Sequence, residues 1–273
     1  MSEIYGFDAY APREIAQRVE TVGVVKARLP LLQLALLGLL AGAFIGLGAL
    51  GFVLVKSDAT LGYAAGQWLG GLVFSLGLLL VVVAGAELFT GNNLLVMAWA
   101  GGKISSAELL RNWIVVCLAN LAGAVGLALL VHLSGHAQLN GGAIGQTVVR
   151  IALAKQSLPW QEALFRGVLC NLLVCMAVWM AMAGRSVVDK AVAVLFPISA
   201  FVAAGFEHSI ANMYLMPLAW LQQQSGAVPA MPAITWAGML GNWLPVMAGN
   251  LVGGSVLVAL TYHLIYRRGR HDG

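Results

Sequence analysis

The stretch Gly205-Phe206-Glu207-His208-Ser209-Ile210-Ala211-Asn212 decides how this chain is read. It sits inside a run that is otherwise apolar from Ala191 to Leu221. An acid, an imidazole, a hydroxyl and a carboxamide are costly at membrane depth, and groups retained there mark a pathway. A related stretch stands earlier, Gly85-Ala86-Glu87-Leu88-Phe89-Thr90-Gly91-Asn92. Gly, Glu and Asn recur at the same three places, and only the second copy carries a histidine.

The surroundings agree with membrane depth. The chain has 273 residues, 60% of them hydrophobic and 10% charged, and its mean hydropathy is +0.86. Soluble domains carry about 25% charged residues, so a soluble enzyme is excluded first, and long apolar runs predict an all-α integral membrane protein. The net charge of +4 does not point to nucleic acid, because it is distributed by loop. Six spans with both ends inside place Arg13, Arg18, Lys26, Arg28, Lys103, Arg111, Arg185, Lys190, Arg267, Arg268 and Arg270 on the inner side. Lys56, Arg150, Lys155 and Arg166 fall outside, and eleven against four is the positive-inside bias that orients the chain. Cys117, Cys170 and Cys175 lie in apolar helical stretches, which implies no disulfide framework. No cleavable signal is visible, since the first apolar run is too long for one.

In order, residues 1–30 predict an amphipathic helix at the cytoplasmic interface. Ile15, Val19, Val22 and Lys26 step at helical spacing, with Pro12 and Glu14 early and Lys26 and Arg28 late. Residues 31–266 form the channel-like domain, and 267–273 a cytoplasmic tail. The first span covers about 31–55, with Gly38, Gly42 and Gly46 on one face for close helix approach. The second stretch, about 61–100, is too long for one straight helix and is interrupted at Gly85–Asn92. Spans three and four cover about 107–133 and 162–183, joined by a Gly- and His-containing outer connection from Ser134 to Pro159. The fifth is broken like the second, and the sixth covers about 234–266.

An internal repeat ties these pieces together. Lys26-Ala27-Arg28-Leu29-Pro30 parallels Lys155-Gln156-Ser157-Leu158-Pro159, and Gly38 then matches Gly167. Asn112-Trp113, Asn120-Leu121 and Gly123 parallel Asn242-Trp243, Asn250-Leu251 and Gly253. Half-repeats of about 26–133 and 155–263 each hold three spans with the middle one broken. An odd number of spans inverts the second half on the first, and in such folds the site lies where the broken helices meet.

With those residues in view, the chain resembles the formate/nitrite transporter family, most like its formate branch. The motif Gly205 to Met213, Glu87-Leu88-Phe89-Thr90 and Lys155 carry the resemblance, which extends from about 26 to 266. It implies an aquaporin-like protomer in a homopentamer in the bacterial cytoplasmic membrane. Each protomer would pass formate, with nitrite or hydrosulfide as the alternative, and no cofactor or metal is implied.

His208 is the leading functional residue; the alternative, an imidazole bonded for packing, is the less favoured one at this depth. Withdrawn from water, it gives up a proton readily. Thr90 would face it from the other half-repeat, or would satisfy local backbone. Asn171 matches a pore-lining amide in the family, against a helix-to-helix hydrogen bond, and Asn212 joins the substrate pathway. Phe74, Leu78, Leu88 and Phe201 resemble the two apolar constrictions around the imidazole. Glu87 and Glu207 are expected to accept from N–H groups freed at the helix breaks. Lys155 would draw the anion to the outer mouth, so that His208 can lend it a proton as it enters the dry segment. An enzyme would need a nucleophile–base pair or a metal cluster. Glu207-His208 is not a His-Glu-x-x-His site, and the cysteines lack ligand spacing. Trp113, Trp243, Gly123 and Gly253, on repeat-related spans, suit tight helix contacts and a homo-oligomer.

Overall fold

The structure, a computed structural model, describes residues 9–266. The first eight residues of the predicted N-terminal segment, the tail 267–273 and its Arg267, Arg268 and Arg270 lie outside those residues. α1 spans Pro12–Ala27. Its first N–H groups are relieved by Pro12 and by Glu14, whose Oε2 accepts from the Ala11 N–H at 2.8 Å. The structure turns the apolar face of this helix into the protein. Ile15, Ala16, Val19 and Ala27 are buried in one cluster with Leu94, Leu95, Met97, Trp179 and Val258.

α2 (Leu31–Lys56) and α3 (Tyr63–Gly85) are full membrane-length helices. The last turn of α3, Leu80–Gly85, widens to π geometry and ends on Gly85 at φ +88°, a conformation that a side chain resists. After the break a 3-10 turn, Gly91–Leu95, leads into short α4, Val96–Ala100. α5 spans Ser106–Leu133 and starts in a reciprocal cap: Ser105 Oγ accepts from the Glu108 N–H, and the Glu108 carboxylate accepts from the Ser105 N–H.

The second half repeats the plan. α7 (Trp160–Ala181) matches α2. α8 (Val187–Ala203) opens on an equivalent Ser186–Asp189 cap; Gly205 ends it at φ +71°, and α9 (Ser209–Gln224) follows. α10 runs Trp236–Tyr266, with π geometry over Val252–Leu260. Among the described residues, five helices are long and apolar enough to cross a membrane. α8 and α9, of 17 and 16 residues, form the sixth crossing in two pieces.

One element was not expected. The outer connection contains α6, Ala143–Gln156, entered through Asn140, Gly141 and Gly142, all at positive φ. It buries Ile144, Val148, Val149 and Ala152 and stands where α1 stands in the first half, with Lys155 at its end as Lys26 ends α1. The repeat therefore begins one helix earlier than the sequence pattern suggested.

The halves are sealed by glycines. A Cβ at Gly123 would strike the Leu39 carbonyl oxygen, and one at Gly253 would strike that of Val168. These two glycines serve α2–α5 and α7–α10 packing within the protomer, not contact between protomers.

Candidate functional site

A helix broken inside an apolar layer leaves backbone groups that no water can satisfy. Here two asparagines take them up, one per half. Asn120 Oδ1 accepts from the Phe89 N–H at 2.9 Å, while its Nδ2 donates to the carbonyls of Gly38 (2.6 Å) and Glu87 (2.9 Å). Asn250 does the same for the Ser209 N–H (3.0 Å) and the carbonyls of Gly167 (2.8 Å) and Glu207 (3.1 Å). The sequence marks both asparagines as repeat mates, and only folding reveals that they hold the breaks.

Around each clamp lies a charge cluster. Lys26 Nζ is 2.8 Å from Glu87 Oε1, and Asn92 Nδ2 donates to Glu87 Oε2 at 2.7 Å and to Asn112 Oδ1 at 2.9 Å. In the second half Lys155 Nζ meets Glu207 Oε1 and Oε2 at 2.8 and 3.0 Å. Asn212 Nδ2 donates to Glu207 Oε2 at 2.6 Å and to Asn242 Oδ1 at 2.7 Å. Glu87 and Glu207 thus take Lys and Asn partners, not the freed N–H groups expected of them, because Asn120 and Asn250 reach those first. Their charges are balanced in place, which keeps two buried acids from repelling an anion.

The halves differ at the centre. Leu88 occupies the position of His208, and Thr90 that of Ile210, so the two polar residues meet once across the pseudo-symmetry. Thr90 Oγ1 lies 3.0 Å from His208 Nε2, with both side chains buried. His208 caps α9: its Nδ1 accepts from the Ala211 N–H at 3.2 Å. That bond fixes the tautomer, leaving the hydrogen on Nε2, aimed at Thr90. The Phe201 ring stacks near the imidazole at 5.9 Å between centroids, and Phe74 meets Phe201 edge-on at 5.6 Å.

Two cavities approach this centre from opposite sides. One, of about 450 Å³, opens beside α1 and is lined by Lys26, Leu78, Glu87, Leu88, Asn92 and Lys190. The other, of about 300 Å³, opens beside α6 and is lined by Lys155, Phe74, Phe201, Glu207, His208 and Asn212. No lining residue is shared between them. Phe74, Leu78, Leu88 and Phe201 are all buried and stand in the partition, Leu78 and Leu88 on the α1 side and Phe74 and Phe201 on the α6 side. Thr90 lines neither cavity and lies between them.

Asn171, read as pore-lining, lines neither cavity. Its Nδ2 is within hydrogen-bond distance of the Thr90 carbonyl (3.2 Å), Asn93 Oδ1 (2.9 Å) and the Asn250 carbonyl (2.7 Å), a helix-to-helix link that holds Thr90 in place. Lys155 lines the α6-side cavity, but its side chain is 15% exposed and its charge is taken up by Glu207. Its charge is therefore held in a buried ion pair. Lys56 and Arg166 also line this cavity, a placement that nothing in their spacing along the chain signals.

Residues 13–264 match the family model described as Formate/nitrite transporter. The chain is 38% identical to the formate channel FocA of Escherichia coli (strain K12), covering 96% of each chain. It is 36% identical to the formate channel BtFdhC of Bacillus thuringiensis, covering 95% of this chain and 96% of that one. Among solved structures it is similar to a pentameric formate channel with formate bound, at TM-score 0.80 and 38% identity over 86% of this chain and 97% of the other. It is also similar to an FNT family ion channel, at TM-score 0.83 and 32% identity over 92% and 98%.

Proposed function

The chain belongs to the formate/nitrite transporter family, and on that premise we propose that it carries formate across a bacterial cytoplasmic membrane, through a pore in each protomer of a homopentamer. Its matched relatives are channels and transporters, and it is a transport protein rather than an enzyme. By the positive-inside bias the α1-side cavity faces the cytoplasm and the α6-side cavity faces out.

The observation that carries the reading is the buried Thr90–His208 pair, with His208 in the wall of the α6-side cavity beside Phe74 and Phe201, and Leu78 and Leu88 in the wall of the α1-side cavity. A small anion loses several kcal/mol or more on leaving water for such a partition. A monocarboxylic acid has a solution pKa near ~4, so the neutral form is scarce at neutral pH. His208 takes up a proton from the α6-side cavity that it lines and, as imidazolium, gives its Nε2 proton to a carboxylate oxygen; formic acid crosses, and the proton either returns to the ring or leaves with the acid, in which case the cavity recharges the ring. Thr90 Oγ1 holds the Nε2 hydrogen until the anion arrives.

A second reading has its own support. The Ala211 N–H points at Nδ1, and a second ring proton there would lose its acceptor and face a donor. On this reading His208 stays neutral and offers Nε2–H as a hydrogen bond to the passing anion, with no proton lent.

Uptake of labelled formate, nitrite and hydrosulfide into proteoliposomes tests the substrate. Formate uptake well above empty vesicles, and faster than the other two, is expected. Faster nitrite or hydrosulfide uptake would move the chain to the alternative within the family.

A further inference from the structure

α3 and α8 run antiparallel beside the α6-side cavity and meet along a seam of regular register. Gln67, Gly71 and Ser75 stand four apart on one face of α3, and Ala203, Ser199 and Leu195 stand four apart on one face of α8. At the first rung Gln67 Nε2 donates to the Ala203 carbonyl at 3.2 Å. At the second, a Cβ on Gly71 would lie 2.6 Å from the Ser199 carbonyl oxygen, so only glycine lets the two backbones come this close. At the third, Ser75 Oγ lies 3.4 Å from the Leu195 carbonyl oxygen and 3.5 Å from Ser199 Oγ. Those distances are long for hydrogen bonds, so the small volume of Ser75 counts for more here than its hydroxyl. Phe74 and Phe201 stand within this register, one beside Ser75 and the other between Ser199 and Ala203. Both rings line the cavity, with their centroids 5.6 Å apart.

We infer that this seam is a spacer: Gly71 and Ser75 set the gap between Phe74 and Phe201, and with it the largest monocarboxylate that the α6-side constriction admits. This rests on the proposed formate transport. α2 already lies against α3, where a Cβ at Gly48 would strike the Phe74 carbonyl oxygen, so bulk added to the seam displaces α8 instead. α8 is the more yielding helix. Pro197 lies inside it and removes a backbone hydrogen bond, and Gly205 ends it at φ +71°. A methyl group on Gly71 needs about 0.8 Å more room to reach ordinary contact at 3.4 Å, and Phe201 moves with the helix that makes that room.

The test is the ratio of acetate to formate uptake into proteoliposomes, since the two anions differ by one methyl group. Gly71→Ala should raise this ratio roughly 10-fold, the low end of what the fit of one such group is worth. Ser75→Thr adds a methyl group to the same seam, keeps the hydroxyl, and should raise the ratio in the same direction. Gly66→Ala is the control on α3: its Cβ would meet nothing closer than 3.7 Å, and the wild-type ratio is expected. A folded Gly71→Ala protein that keeps the wild-type ratio, or loses both fluxes in proportion, overturns the inference. If Gly71→Ala fails to fold, an unchanged ratio in Ser75→Thr overturns it alone. A wild-type protein that takes up no formate refutes the transport reading itself, a result independent of any variant.

Discussion

Glu207 is 4% exposed, and a carboxylate so placed persists only beside a cation. Its partner Lys155 looks, from its place before the fourth span, like a lure for anions. The ion pair gives it another task. Lys155→Leu should strand the buried carboxylate at a cost of about 3–5 kcal/mol, lowering the melting temperature in detergent and the flux at saturating formate as well as at low formate. Lys155→Leu/Glu207→Gln removes both charges and should recover most of the melting temperature. A single variant with an unchanged melting temperature, slowed only at low formate, would return Lys155 to the role of attractor. At this scale the sequence was legible where depth alone carries meaning: Glu87, Glu207, His208 and Thr90 stand out as polar groups in apolar runs. Partnership was not legible. Asn171 and Asn120 are both amides within apolar helices, yet one links helices beside Thr90 and the other clamps a break, and only the tertiary fold sets which carbonyls each meets.

The helices are held by approach distance. At Gly123 and Gly253 a neighbouring carbonyl occupies the space a methyl group would need, whereas a Cβ at Gly126, one turn along the same α5, would meet nothing within 4 Å. Gly123→Ala and Gly253→Ala should each cost about 1–3 kcal/mol by overpacking, and Gly126→Ala should be neutral or slightly stabilising. Thermal unfolding in detergent ranks the three. Equal melting temperatures would mean that these crossings are looser than described. Spans, breaks and their glycines could be read because apolar length and repeat spacing are local signals. α6 could not. Its lead-in of Asn140, Gly141 and Gly142 looks like loop, and the helix is short and only half apolar, so its burial against α9 had no counterpart in the sequence pattern. α1 was legible as a helix, but which surface it would cover was not, since an amphipathic face fits lipid and protein alike.

For the whole molecule, long apolar side chains such as Leu118, Phe165, Phe196 and Leu244 remain exposed on the outer faces, more than a water-facing surface tolerates and suited to lipid and to neighbouring protomers. A homopentamer is expected, and mass measured across a range of detergents should return five copies; a stable monomer throughout would contradict it. The central claim is that His208 lends a proton between the two cavities. Formate flux and membrane current are to be measured together in proteoliposomes between about pH 5 and pH 8, the range in which an imidazole is suited to exchange protons. Wild-type uptake should rise as pH falls, but free formic acid rises too, so only its difference from His208→Asn is diagnostic. The account predicts that His208→Asn loses the wild-type pH response, either by blocking or by conducting formate as an anion with a current that depends little on pH. A His208→Asn channel that keeps the wild-type pH profile and carries no current would contradict it.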